Sequence, residues 1–149
     1  MTELQFDADI HGTADSVFDA ITDLRGYDRW LPTSATFPGT TEISTDPIAT
    51  GTTYVESGPQ GVRRGTVTEF DRPTTVAFHQ PMTMKPKLLG VIDILVRYTL
   101  TPAAGAVRLS RTVTLSFGWP LKLMKPLVLR QFRQESERTM RALKAFVEG

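Results

Sequence analysis

Polar and apolar residues alternate near the start of the chain, where Leu4, Phe6, Ala8 and Ile10 are separated by Gln5, Asp7 and Asp9. That two-residue period predicts a strand with one buried face, ending near His11. The period then lengthens. Thr13 is placed to cap a helix with Asp15 in its first turn, where a carboxylate suits the dipole, and with Val17, Phe18 and Ile21 on one side. Residues 23–26 break it, and Tyr27, Asp28, Arg29, Trp30 and Leu31 predict a second short helix that stops before Pro32. From Phe37 to Phe117 the pattern returns to short strands and turns. Strands are predicted over residues 51–57, 62–70, 74–80, 91–101 and 106–117, an antiparallel meander turning at 58–61, 71–73 and 102–105. In the last two strands one face carries Ile92, Ile94, Val96, Tyr98 and Leu100, then Val107, Leu109, Arg111, Val113, Leu115 and Phe117. The opposite face is polar.

The C-terminal stretch has the helical period. Trp119-Pro120 reads as a helix start, because proline suits a first turn that needs no N–H. Val128, Leu129, Phe132, Met140, Leu143, Phe146 and Val147 fall on one broad face, opposite Arg130, Gln134, Glu137, Arg141, Lys144 and Glu148. Pro126 predicts a kink, beyond which the helix spans roughly 33 Å. Ser136 and Thr139 interrupt the apolar stripe. Either each hydroxyl bonds back to its own helix carbonyl, or this part of the face lines a space. Strands grouped apart from helices argue an α+β fold, with an antiparallel sheet covered on one face by the long helix. A twisted sheet curves around such a helix and, unless the facing side chains are all large, leaves a cavity.

Composition narrows the function classes. A chain of 149 residues suits one domain spanning 1–149, and 17 basic against 16 acidic side chains supply no overall field for nucleic acid. Without cysteine there is no disulfide, thiolate metal site or cysteine nucleophile. The first residues lack a basic and apolar leader, and the longest apolar run stops at Asp93, so a soluble, cytoplasmic chain is expected. Two histidines 68 residues apart, with no cysteine, do not make up a ligand set, so no metal site is expected, and no cofactor is implied.

Two regions carry a resemblance. Ala14-Asp15-Ser16-Val17-Phe18-Asp19-Ala20-Ile21-Thr22-Asp23, followed by Tyr27-Asp28-Arg29-Trp30-Leu31-Pro32, resembles the opening helices of the polyketide cyclase/dehydrase branch of the START-like, helix-grip superfamily. Gly65-Thr66-Val67-Thr68-Glu69-Phe70-Asp71-Arg72-Pro73 resembles that family's central strand and turn, and the terminal helix completes a likeness that covers nearly the whole chain. It implies a curved sheet wrapped around the long helix and an elongated apolar cavity between them, used by relatives for lipids, sterols, quinones, polyketide-like aromatics or plant hormones. A minority of relatives are cyclases, dehydratases or hydrolases, and some meet other proteins. Three functions follow as expectations: a carrier or sensor of a hydrophobic small molecule, a cyclase or dehydratase in the same cavity, or a protein-interaction module.

The residues supply the candidates. Arg111 falls among valine and leucine on the apolar face, and a charge there needs a partner. Either Glu135 or Glu56 pairs with it, or its planar fork anchors a ligand carboxylate, phosphate or enolate. Tyr98 either packs in the core or orients and protonates a carbonyl oxygen. His79 is in register with the solvent face; a break near Pro81 would make it a general base. Trp30, Tyr98, Arg111, Phe132, Glu135, Ser136 and Thr139 form the expected ligand-binding set. Met82, Met84, Leu88, Leu121 and Met124 lie in two apolar, lysine-bearing connections that either cap the core or form a portal in transient contact with an anionic membrane.

Overall fold

The computed structural model describes all 149 residues. Seven strands form one antiparallel sheet: β1 (Thr2–Ile10), β2 (Thr53–Gly58), β3 (Gly61–Asp71), β4 (Thr75–His79), β5 (Met82–Met84), β6 (Val91–Ala103) and β7 (Ala106–Ser116). Their spatial order is β1-β7-β6-β4-β3-β2, with β5 between β3 and β6 beyond the end of β4. Helix α1 (Ala14–Thr22) follows β1, a 3-10 turn (Leu24–Arg29) follows α1, and α2 (Lys125–Glu148) closes the chain. At 1.5 Å per residue, the 24 residues of α2 extend about 36 Å.

Local signals explain most boundaries. Thr13 and Ser16 form a reciprocal capping box at α1, each side chain accepting from the other's backbone N–H at 3.0 and 3.3 Å. Asp23 caps the following 3-10 turn by accepting from the Gly26 N–H, so that turn starts three residues before the predicted one and ends at Arg29. The expected kink at Pro126 is absent. A separate 3-10 turn, Leu121–Met124, absorbs the first residues of the predicted helix, and Pro126 falls in the first turn of α2, where its missing N–H costs nothing.

The alternation in β6 and β7 resolves as predicted. Ile92, Ile94, Val96, Tyr98 and Leu100 are buried, as are Val107, Leu109, Val113 and Leu115. The two halves of α2 then differ. Met140 and Leu143 pack closely over the sheet and α1, and Val147 lies against Gly12. The earlier half, from Val128 to Thr139, covers the part of the sheet where β4 gives way to β5. That break has a cause: Pro81 has no N–H for the ladder, so the strand between β3 and β6 is interrupted at Gln80 and Pro81.

Candidate functional site

Register places the first two residues of the site. Tyr98 on β6 and Arg111 on β7 are directly paired across the central strands. The Arg111 Nη1 donates to the Tyr98 hydroxyl, the guanidinium carbon lies 5.4 Å from the Tyr98 ring centre, and Nε donates to Ser136 Oγ on α2 at 3.2 Å. No carboxylate lies within ion-pairing distance of Arg111. Glu135 is held instead by Arg138, at 2.5 and 3.1 Å, the two lying three residues apart on the same helix. Glu56 pairs with Arg63 at 2.9 Å, since the tight turn after β2 puts them face to face.

The two interrupting hydroxyls therefore divide between the readings. Thr139 donates back to the Glu135 carbonyl at 2.8 Å, whereas Ser136 reaches across to Arg111.

Around this group the interior is not filled. A chamber of about 80 Å³ is lined by Tyr27, Tyr54, Phe78, Tyr98, Arg111 and Thr139 among others, and a second of about 70 Å³ by Met82, Met84, Ile94, Val113, Phe132 and Ser136. A single water needs roughly 10–15 Å³, so each has room for several waters, and the two together for a guest of one or two rings. Thr36, Arg63, Gln80, Val96, Arg111 and Glu135 belong to both walls and form the partition. With Glu56, Arg63, Arg111 and Glu135 in its walls, the space is more polar than the elongated apolar cavity that the resemblance implies.

Four charged side chains line the chambers, Arg63 and Arg111 against Glu56 and Glu135, and both acids are engaged by arginines other than Arg111. Arg63 and Glu56 are 8% and 7% exposed and neutralise each other; Arg63 also donates to the Thr36 carbonyl at 2.7 Å, and the Thr40 hydroxyl donates to Glu56 at 2.7 Å. Burial pushes the Glu135 carboxyl up, and hydrogen bonds from Arg138 and Thr36, together with the nearby charges of Arg138 and, least, Arg111, outweigh it and hold the group below the ordinary carboxylate value. It stays ionised and matched to Arg138. Arg111 alone faces both chambers with only neutral oxygens as partners. Burial also raises the Tyr27 and Tyr54 hydroxyls well above the ordinary phenol value, which keeps both as donors. Tyr27 donates to the Ile21 carbonyl at 2.5 Å and Tyr54 to Gln80 Oε1 at 2.6 Å.

Of the residues expected from the sequence, the fold brings together Tyr98, Arg111, Phe132, Glu135, Ser136 and Thr139, with Met82 and Met84 on the wall of the second chamber. It leaves out His79. The register does break at Pro81, but Gln80 takes the inward place, while the 43% exposed His79 side chain bonds Asp93 at 2.6 Å on the outer face. Trp30 also lies outside the lining, packed between Tyr27 at 4.9 Å and Phe146 at 6.4 Å. Leu121 is a core residue, and Leu88 and Met124 are exposed at the surface, so these three do not line the chambers. Tyr27, Tyr54, Gln80 and Arg63 were missed as lining. Gly65 held a signal: a Cβ there would sit 2.1 Å from the Tyr54 ring, so a strand glycine marks the inward face where an aromatic lies.

An antiparallel sheet curved around a C-terminal helix, with short helices after the first strand, defines the START-like, helix-grip class. Within it the chain belongs to the family described as polyketide cyclase / dehydrase and lipid transport, whose model matches residues 1–148. No curated protein matches the sequence. Among solved structures the fold is similar to protein jhp0584 from Helicobacter pylori, with a TM-score of 0.77 and 12% identity over 98% of this chain and 88% of that one. It is also similar to a norcoclaurine synthase point mutant from Thalictrum flavum in complex with a transition-state analogue (TM-score 0.73, 12% identity, covering 98% and 93%). The Mll3558 protein from Rhizobium loti is 21% identical, with a TM-score of 0.69 and coverage of 97% and 95%. At such identities the likeness speaks for the fold alone.

Proposed function

We propose that the protein is a carrier or sensor that binds one small, mostly apolar organic molecule between the sheet and α2, with an anionic or enolate-like oxygen of the guest on Arg111. The observation that carries this reading is the partnering of Arg111: a guanidinium between two chambers, held by two hydroxyls and no carboxylate. Such a group forms stronger hydrogen bonds with an anion than with a neutral hydroxyl, so a guest carboxylate displaces Ser136 or Tyr98 with a net gain. Family membership supports a hydrophobic guest, and the volume favours one of ring size over an extended acyl chain.

Titration with 2-naphthoate and its methyl ester tests the reading. A charge-assisted hydrogen bond contributes about 1.5–3 kcal/mol, so the acid should bind roughly 10- to 100-fold more tightly than the ester. That preference should vanish in Arg111→Met. Equal affinity of the native protein for acid and ester, or a preference that survives in Arg111→Met, contradicts it.

The contact between Arg111 and the Tyr98 hydroxyl favours a second reading, in which the guest reacts. Tyr98 would protonate a carbonyl oxygen while Arg111 steadies the enolate, as a cyclisation or dehydration requires. Turnover lost in Tyr98→Phe with naphthoate affinity retained would select this reading over the carrier.

A further inference from the structure

Asp93 pairs with Ser116, and continuing that register sets Val91 opposite Gly118. The connection after β5 and the chain leading into α2 therefore meet at one end of the molecule. Residues 81–92 and 117–134 carry Lys85, Lys87, Lys122, Lys125, Arg130 and Arg133, and no aspartate or glutamate. All six cations are exposed, and none takes part in an ion pair. The same segments hold six of the protein's eight exposed large apolar side chains. Leu88, Trp119 and Leu123 are 75%, 74% and 70% exposed, and Val91, Met124 and Leu127 accompany them.

We propose that this end is a docking surface for an anionic lipid bilayer. Apolar side chains exposed among cations, on two segments that carry no carboxylate of their own, match a surface that is negative at the headgroups and apolar just beneath. Trp119 suits that boundary, because an indole offers an apolar body and one N–H donor. A nucleic acid would use the cations but not the leucines. No helix is long and apolar enough to cross a membrane, so the protein would lie on the surface. The second chamber borders this end: Met84 and Ile92 on one side, and Val128 and Phe132 on the other, adjoin the exposed residues along the chain. Docking stands on charge and exposure, independently of whether the guest of the chambers is an organic anion.

Sedimentation with vesicles of phosphatidylglycerol and phosphatidylcholine, against phosphatidylcholine alone, tests the proposal. Binding should require the anionic lipid and weaken as salt rises. It should fall at least tenfold in Lys87→Glu/Lys122→Glu/Lys125→Glu and in Leu123→Ser/Leu127→Ser. Tryptophan emission should shift to the blue on binding, and that shift should disappear in Trp119→Phe, since Trp30 is already buried. No sedimentation at low salt overturns the proposal, as does binding unchanged by either set of substitutions. Binding that duplex DNA competes away and that the leucine substitutions leave intact would mark a polyanion site instead and likewise overturn it. All variants stay on the surface, so native unfolding midpoints would confirm that a loss is not misfolding.

Discussion

Two arginines share the inner face of this sheet, and their partners set their roles. Arg63 is spent on Glu56, and the pair holds Thr36 and Thr40 around it, whereas Arg111 is left to hydroxyls. Removing one member of a buried pair leaves the other uncompensated, at a cost of about 3–5 kcal/mol. Glu56→Ala should therefore lower the unfolding free energy in urea by that order. Glu69→Ala, which breaks an exposed pair with Arg97, should cost no more than about 1 kcal/mol. Equal losses for the two variants would contradict the assignment of Glu56 and Arg63 as a buried, mutually dependent pair. The inward position of Arg111 was legible in the alternation of β7. Its lack of an acid was not: Glu135 chose between a neighbour on its own helix and a guanidinium across the interior, and the local pair formed.

Boundaries of elements were mostly legible because they rest on local chemistry, as at Thr13, Asp23 and the turns of the meander. Where the chain departs from expectation, proline is involved. Pro126 begins α2 instead of bending it, and Pro81 interrupts a strand so that Gln80, not His79, faces inward. The close approach of Tyr54 to Gly65 across β2 and β3 depends on a missing side chain. Gly65→Ala should force the ring aside, cost roughly 1–3 kcal/mol as overpacked interiors do, and weaken naphthoate binding, because Tyr54 lines the first chamber. Gly118→Ala, with nothing within 4 Å of the added carbon, should leave the unfolding midpoint unchanged. A Gly65→Ala midpoint equal to that of the Gly118→Ala control would remove Tyr54 from its assigned place.

For the molecule as a whole, a net charge of +1 conceals a segregation. The first 28 residues carry seven acids and one base, and α1, with Asp15 and Asp19, lies towards the end of the sheet remote from Lys122 and Lys125. The sheet, the terminal helix and the family were all readable from periodicity and motif, because those depend on which residues are apolar. The character of the space between sheet and helix depends on how particular side chains meet, and it emerged more polar than expected. The central claim is that this space holds a small organic guest on Arg111, and native mass spectrometry of gently purified protein tests it most directly. The account predicts a population carrying one small bound molecule, or one that binds added 2-naphthoate, with both lost in Arg111→Met. Protein that keeps only its own mass after incubation with excess 2-naphthoate, or that retains a second polypeptide and no small molecule, would contradict it.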